Sequence, residues 1–236
     1  MRPWRNGGSR SLPRRGRRSA PPQSVEHDSA SSCREKKSLH AAERDTERVQ
    51  TLRTACRETV QNLDGHRRKC VDESGANVAM TRRFGRATPG QRVGDSVPDN
   101  YGSHETLLAA LALDGLDAPW VVDGAINGEI FHCWVSEVWC PTLPPGDIVL
   151  WDNLSAHKVA GVEELLATRG ARLLRLSPSS PDFNPIEQWW SKIKTFLRRA
   201  KARTIEALIT AIKEALDTVT APDIRGWFAH GGYPVH

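Results

Sequence analysis

The order of apolar and polar positions divides the chain into three parts. Residues 1 to about 32 are mostly Arg, Ser, Pro and Gly, and such a composition cannot bury enough apolar surface to offset the entropy lost on ordering. We therefore predict a disordered arm over residues 1–35. Residues 36–61 are rich in helix formers with apolar positions on one stripe, which predicts one or two helices within a linker at 36–69. Residues 70–232 carry short apolar runs punctuated by Gly and Pro.

The third part predicts an α/β sheet with helices on its faces. Residues 147–153, 155–168 and 171–176 read as strand, helix and strand, which is one βαβ unit. Residues 119–122 predict another strand before the Asp123-Gly124 turn, whereas 106–113 fit a helix or a strand. Helices are predicted over four further segments: 129–140, 185–200, 204–219 and 222–230.

Charge and cysteine content narrow the class of protein. The net charge is +5, but residues 1–70 hold 17 Lys and Arg against 8 Asp and Glu, and residues 71–236 hold 16 against 20. A basic arm that attracts polyanions, joined to a domain that gathers carboxylates, fits this division, although disordered ends are also often basic. The five cysteines form no C-x-x-C pair, so neither a zinc site nor a disulfide framework is indicated. The sequence shows neither a membrane span nor a secretory signal, and we expect a cytoplasmic, nucleoid-associated protein.

Asp152 lies where a buried strand ends, in the segment 150–157 (LWDNLSAH). In open α/β sheets, ligands gather at the carboxyl ends of the strands, so this acid is a candidate for a functional site. The alternative is structural, because Asp152 or Ser155 would also serve as the cap of the following helix.

Glu187 lies in the segment 180–187 (SPDFNPIE), which also has a structural interpretation. Asn184 suits the N-cap of a helix, Pro185 its first position, and Glu187 a capping box. Capping alone would explain this glutamate. It does not explain a second acid, Asp152, that ends a strand 35 positions earlier with one further strand between.

Asp72 is the third candidate acid, after a short apolar step and before a turn in Cys70-Val71-Asp72-Glu73-Ser74-Gly75. The neighbouring Glu73 would point to the opposite face of an extended segment. The pattern is weak taken alone, and we choose Asp72 from the register together with a family resemblance.

Three blocks carry that resemblance: VDESGANVAMTRRFGRA (71–87), VLWDNLSAHK (149–158) and SPDFNPIEQWWSKIK (180–194). They resemble the signature blocks of insertion-sequence transposases of the mariner-like superfamily, the DDE superfamily endonucleases. In that family the acids stand in D-E-S/T-G, D-N-x-x-A-H and N-P-I-E, which correspond here to Asp72, Asp152 and Glu187. The last two are separated by 34 residues, an interval that resembles the mariner-type pattern.

The resemblance implies an RNase H-like fold over residues 70–232, a mixed sheet flanked by helices, and the activity of a DNA transposase. It implies that Asp72, Asp152 and Glu187 are both the catalytic residues and the metal ligands. Three oxygen ligands at an open site suit Mg²⁺ or Mn²⁺. Two such ions about 4 Å apart can activate a nucleophile and stabilise the leaving oxygen at phosphorus. We therefore expect two ions, with DNA strand cleavage and strand transfer at one site.

Several other residues are expected to support this chemistry. Asn153 and His157 belong to the second block and are candidates to orient ligands or touch DNA, with packing or capping as the alternative for His157. Basic residues near the first and third acids are candidates to bind DNA phosphates, although a solvated helix face explains those after Glu187 equally well. The candidates for DNA binding are Arg82, Arg83, Arg86, Lys192, Lys194, Arg198 and Arg199.

The resemblance also defines the expected partners. Complete members of the family begin with a helix-turn-helix region that recognises the ends of the element, and residues 1–35 contain no such pattern. We therefore expect an N-terminally truncated copy that acts on element ends and target DNA and forms a homodimer, with no membrane partner. The alternative is a catalytically inactive remnant that only binds DNA or a partner subunit.

Overall fold

The structure is a computed structural model that describes residues 40–102, 104–152 and 161–235. Five strands form one mixed sheet in the order β3-β2-β1-β4-β5. β1 (Arg68–Asn77), β2 (His104–Ala112) and β3 (Gly115–Asp123) form an antiparallel meander, while β4 (Ile148–Trp151) runs parallel to β1 and β5 (Arg172–Arg175) runs parallel to β4. The predicted α/β sheet is confirmed, including the two parallel strands at 147–153 and 171–176.

Six α-helices surround the sheet within the described ranges: α1 (Glu47–Gln61), α2 (Gly128–Cys133), α3 (Val162–Thr168), α4 (Pro185–Ala200), α5 (Ile205–Asp217) and α6 (Ala221–His230). Two separate apolar cores lie on the two faces of the sheet. Cys70 and Ala76 of β1 join the core built with α1, α4, α5 and α6. Val71, the residue after Cys70, joins the core built with α2 and α3. Alternate residues of β1 therefore face different helical layers.

Segment 106–113 is a strand, which resolves the ambiguity between helix and strand. From Leu107 to Ala112 every residue of β2 is buried, because this strand lies inside the sheet with a helical layer on each face. A strand covered on both faces loses the alternation of apolar and polar positions. The pattern of 106–113 therefore could not distinguish the two structures.

The predicted helix at 129–140 is present, but only its first part is α-helical. α2 ends at Cys133, and Trp134–Trp139 continue as a π-helical turn. This wider turn places both Trp134 and Trp139 in the core, where their rings stack with centroids 5.1 Å apart. No helix in the described part of the chain is both long and apolar enough to cross a membrane.

β1 buries a charged residue, Lys69, which is only 5% exposed. Its Nζ atom lies 2.7 Å from Asp117 Oδ2 and 3.8 Å from Asp147 Oδ2. These acids come from the start of β3 and from the residue before β4. A buried charge is tolerated when it is paired, and here β3 and the residue before β4 supply the partners.

Candidate active site

The sheet register places two of the three predicted catalytic acids beside each other. β1 pairs with β4 through Arg68 with Ile148, Lys69 with Val149 and Cys70 with Leu150. Carried two positions further, the same register sets Asp72 opposite Asp152, on strands that are about 4.8 Å apart. Asp72 and Asp152 each follow by two positions a residue of the core beneath α4, Cys70 and Leu150. Residues two apart on a strand share a face, so both acids face that helix.

Glu187 reaches the same region from the first turn of α4. α4 is strongly amphipathic: Ile186, Trp189, Trp190 and Ile193 are buried, while Glu187 is exposed. The helix packs against β1 and β2. Asn184 stands at the N-cap, as predicted, but its side chain makes no capping hydrogen bond. The capping box that would have explained Glu187 structurally is therefore not formed.

The electrostatic surroundings of Asp72 and Glu187 include the other acids of the site. Burial, together with the negative charges of Glu187, Glu73 and Asp152, raises the pKa of Asp72 to about 8. Partial desolvation also raises the pKa of Glu187, where Lys194 opposes the shift and Asp152 and Glu73 add to it. A carboxylate that raises the pKa of another must lie near it, so Glu187 and Asp152 both lie near Asp72. The neighbouring Glu73 adds a fourth negative charge, which the choice of Asp72 by register had set aside.

Trp190 contacts Asp72 directly. Its indole Nε1 donates a hydrogen bond to Asp72 Oδ2 across 3.1 Å, and the two side chains are 3% and 8% exposed. Trp190 stands three positions after Glu187, so both lie on the same side of α4. No sequence motif marked this contact, although the three-residue spacing between Glu187 and Trp190 was a signal for it.

A cleft of about 340 Å³ opens beside the acids. Asp152, Asn184 and Glu187 line it, together with the segment from Leu176 to Pro181. Arg53 of α1, 5% exposed, supports that segment from behind. It donates hydrogen bonds to Ser180 Oγ at 2.6 Å and to Asp182 Oδ2 at 2.7 Å. No sequence motif marked Arg53, because its partners lie more than 120 positions away.

The donor atoms around the cleft suit a hard divalent cation. Asp152 and Glu187 offer carboxylate oxygens, and the amide oxygen of Asn184 is buried without a hydrogen-bond partner among the described residues. Within the described ranges, no three His, Cys, Asp or Glu side chains are arranged as a metal-binding group. Mg²⁺ needs no such cage, because it usually binds through one or two carboxylates and retains waters or substrate phosphate oxygens.

The predicted DNA-binding residues separate into different environments. Lys194 and Arg198 continue the side of α4 that carries Glu187. Burial lowers the pKa of both side chains, and the positive charge of nearby Arg83 lowers it further. Arg82, Arg199 and Lys192 line a second groove between α4 and α6. Arg86 is exposed. Lys192 is engaged structurally, with its Nζ 2.6 Å from Asp223 Oδ2 and 2.8 Å from the Thr218 carbonyl oxygen.

The two supporting candidates Asn153 and His157 lie outside the described residues.

Comparison with solved structures identifies the fold. The chain matches the Mos1 transposase paired-end complex with left transposon end (TM-score 0.69, 16% identity, 86% of this chain and 64% of that chain). It also matches the Mos1 strand transfer complex (0.66, 17%, 87% and 68%). A third match is the mariner Mos1 paired end complex with Mg (0.66, 16%, 84% and 65%). The chain thus spans about two thirds of the length of these proteins.

Together with the sheet order, these similarities define an RNase H-like fold, as the resemblance implied. A sequence model described as DDE superfamily endonuclease matches residues 67–209, more than half of the chain. The chain belongs to the DDE superfamily endonucleases. No curated protein matches it.

Proposed function

We propose that this chain is a DNA transposase that cuts DNA strands and transfers them during movement of an insertion sequence. The observation that supports the proposal is that Asp152, after β4, and Glu187, on α4, line one cleft, and that the charges of both raise the pKa of Asp72 on β1. Membership of the DDE superfamily endonucleases supports it. So does a fold shared with a transposase solved with a transposon end and after strand transfer.

In this proposal the three acids hold two divalent ions, Mg²⁺ or Mn²⁺. The Mos1 structures solved with Mn and with Mg support the use of a divalent metal. Bound divalent ions stabilise charge on the attacking and leaving oxygens of an in-line displacement at phosphorus. Asp72 and Asp152 provide the ligands from the sheet, and Glu187 provides one from the helix. Trp190 fixes the orientation of the Asp72 carboxylate through its hydrogen bond.

Positive side chains beside the acids are proposed to position the DNA backbone. Lys194 lies two helical turns after Glu187 on the same side of α4, and Arg198 lies one turn further. Both are half-buried, and Arg83 approaches them from the segment after β1. Cations in this position neutralise phosphates next to the reacting one without reading the base sequence.

The test is Mn²⁺-dependent nicking of supercoiled plasmid by the full chain. We expect nicking that requires the metal and is abolished by Asp152→Asn, which keeps the size of the side chain but removes its charge. Asp217→Asn makes the same chemical change at an exposed acid on α5 outside the cleft and should leave nicking unchanged. If the wild-type chain binds DNA without metal-dependent nicking, it is an inactive remnant and the proposal is wrong.

A further inference from the structure

Asn184 lines the cleft and carries a buried side-chain oxygen. The residue is 4% exposed, and its Oδ1 is buried with no hydrogen-bond partner in the described part of the chain. It lines the cleft together with Asp152 and Glu187. Burying a polar oxygen without a partner costs free energy, and the site where this occurs holds two of the proposed metal ligands.

The side chain of Asn184 does not cap α4, which is the usual role of an asparagine at the N-cap. An N-cap side chain normally accepts a hydrogen bond from the backbone N–H of the second or third helical residue. Here the backbone N–H of Glu187, the third residue, bonds to the backbone oxygen of Asn184 at 3.1 Å instead. Asn184 contributes no side-chain capping bond, so helix capping does not account for its buried Oδ1.

The chemistry of the oxygen indicates what that use is. An amide oxygen is a hard, neutral ligand of the kind that divalent cations accept beside carboxylates. The charges of Glu187, Glu73 and Asp152 already act unfavourably on a charged Asp72. A neutral oxygen adds coordination without adding a further negative charge to this group.

We propose that Asn184 Oδ1 is a further ligand of the divalent cation bound by Asp152 and Glu187, an inference that rests on the proposed function. The amide is held by burial at the start of α4, so its position is fixed before the ion binds. Glu187 is three positions away on the same helix end, and the two donors therefore move as one unit.

The experiment compares wild type with Asn184→Ala and Asn184→Ser by calorimetric titration of Mn²⁺ and by thermal unfolding in a chelator. We expect both variants to bind Mn²⁺ at least about 10-fold more weakly, the lower end of what support of metal ligands is worth. Neither variant should unfold at a lower temperature than wild type without metal, because no capping bond is lost.

A capping role makes the opposite prediction. Asn184→Ala would then lower the unfolding temperature, Asn184→Ser would restore it because serine is a good N-cap, and Mn²⁺ affinity would be equal in all three proteins. That result overturns the inference while leaving the proposed function intact if wild type still binds Mn²⁺ and nicks DNA. If wild type itself binds no Mn²⁺ and nicks nothing, the proposed function and this inference are both wrong.

Discussion

The indole Nε1 of Trp190 donates a hydrogen bond to Oδ2 of Asp72 across 3.1 Å. One residue comes from the central strand and the other from the helix that carries Glu187. The contact thus links the two elements that supply proposed metal ligands, and it restricts which Asp72 oxygen can turn towards an ion. Hydrogen bonds to groups that bind metal directly are commonly worth 10- to 100-fold in affinity or activity.

Trp190→Phe should therefore weaken Mn²⁺ binding by roughly 10-fold or more, because it removes the donor and keeps most of the ring. Calorimetric titration measures the effect. Trp189→Phe is the matched control: Trp189 is equally buried on the same helix, and no hydrogen bond connects it with Asp72. Equal Mn²⁺ affinity in the two variants would show that the indole N–H does not position Asp72.

Asp72→Asn should change how stability depends on pH. The folded protein holds the Asp72 proton up to a pKa of about 8, against an ordinary value of 3.8. Between these values the folded state binds more protons than the unfolded state, so this residue makes stability fall as pH rises. The effect is at most about 1.4 kcal/mol per pH unit.

In a chelator, the variant should match wild type near pH 4 and be the more stable protein near pH 8. Denaturant unfolding across that interval measures the difference between the two. Parallel stability curves for wild type and variant would contradict the assignment of the raised pKa to Asp72.

Lys194→Gln should weaken binding to duplex DNA. It should also make the slope of log binding constant against log salt concentration shallower by about 0.9, the value of one phosphate contact. Lys192→Gln is the control from the same helix. Lys192 is paired with Asp223, so its loss should cost up to about 1 kcal/mol of stability and leave the slope unchanged. Titrations at several salt concentrations measure both slopes, and a larger effect from Lys192→Gln would reverse the assignment.

Lys69→Met should destabilise the fold strongly. Asp147 is 5% exposed, and removing its counter-charge leaves a buried acid unpaired, which typically costs about 3–5 kcal/mol. Adding Asp147→Asn to the variant should recover part of the loss, because the unpaired charge is then gone. Denaturant unfolding measures both, and an additive further loss in the double variant would show that Lys69 and Asp147 do not interact.

The parts of the fold that the sequence predicted are those with local causes. Segments 147–153 and 171–176 were predictable because each is a short apolar run bounded by turn residues. Residues 185–200 were predictable because α4 is amphipathic and begins at Asn184-Pro185. The three acids were found through their motifs, but the position of Asp72 relative to Asp152 depends on the pairing of β1 with β4, which no local pattern specifies.

The contacts that the sequence did not reveal join distant positions. Trp190 is buried, and its Nε1 reaches a strand residue 118 positions earlier. The Lys69 partners come from β3 and from the residue before β4. Asn184 was predicted as a cap because residue type and position both favoured it; the backbone of Asn184 itself makes the bond instead. Such competition between backbone and side chain is decided only in the folded chain.

The central claim is that Asp72, Asp152 and Glu187 bind divalent cations at one site, and titration of Mn²⁺ into wild type and Glu187→Gln tests it most directly. Glutamine keeps the size of the side chain and the ability to cap a helix but is a poor metal ligand. We predict that wild type binds Mn²⁺ and that Glu187→Gln loses most of this binding with an unchanged metal-free unfolding temperature. Equal Mn²⁺ binding in the two proteins would contradict the account.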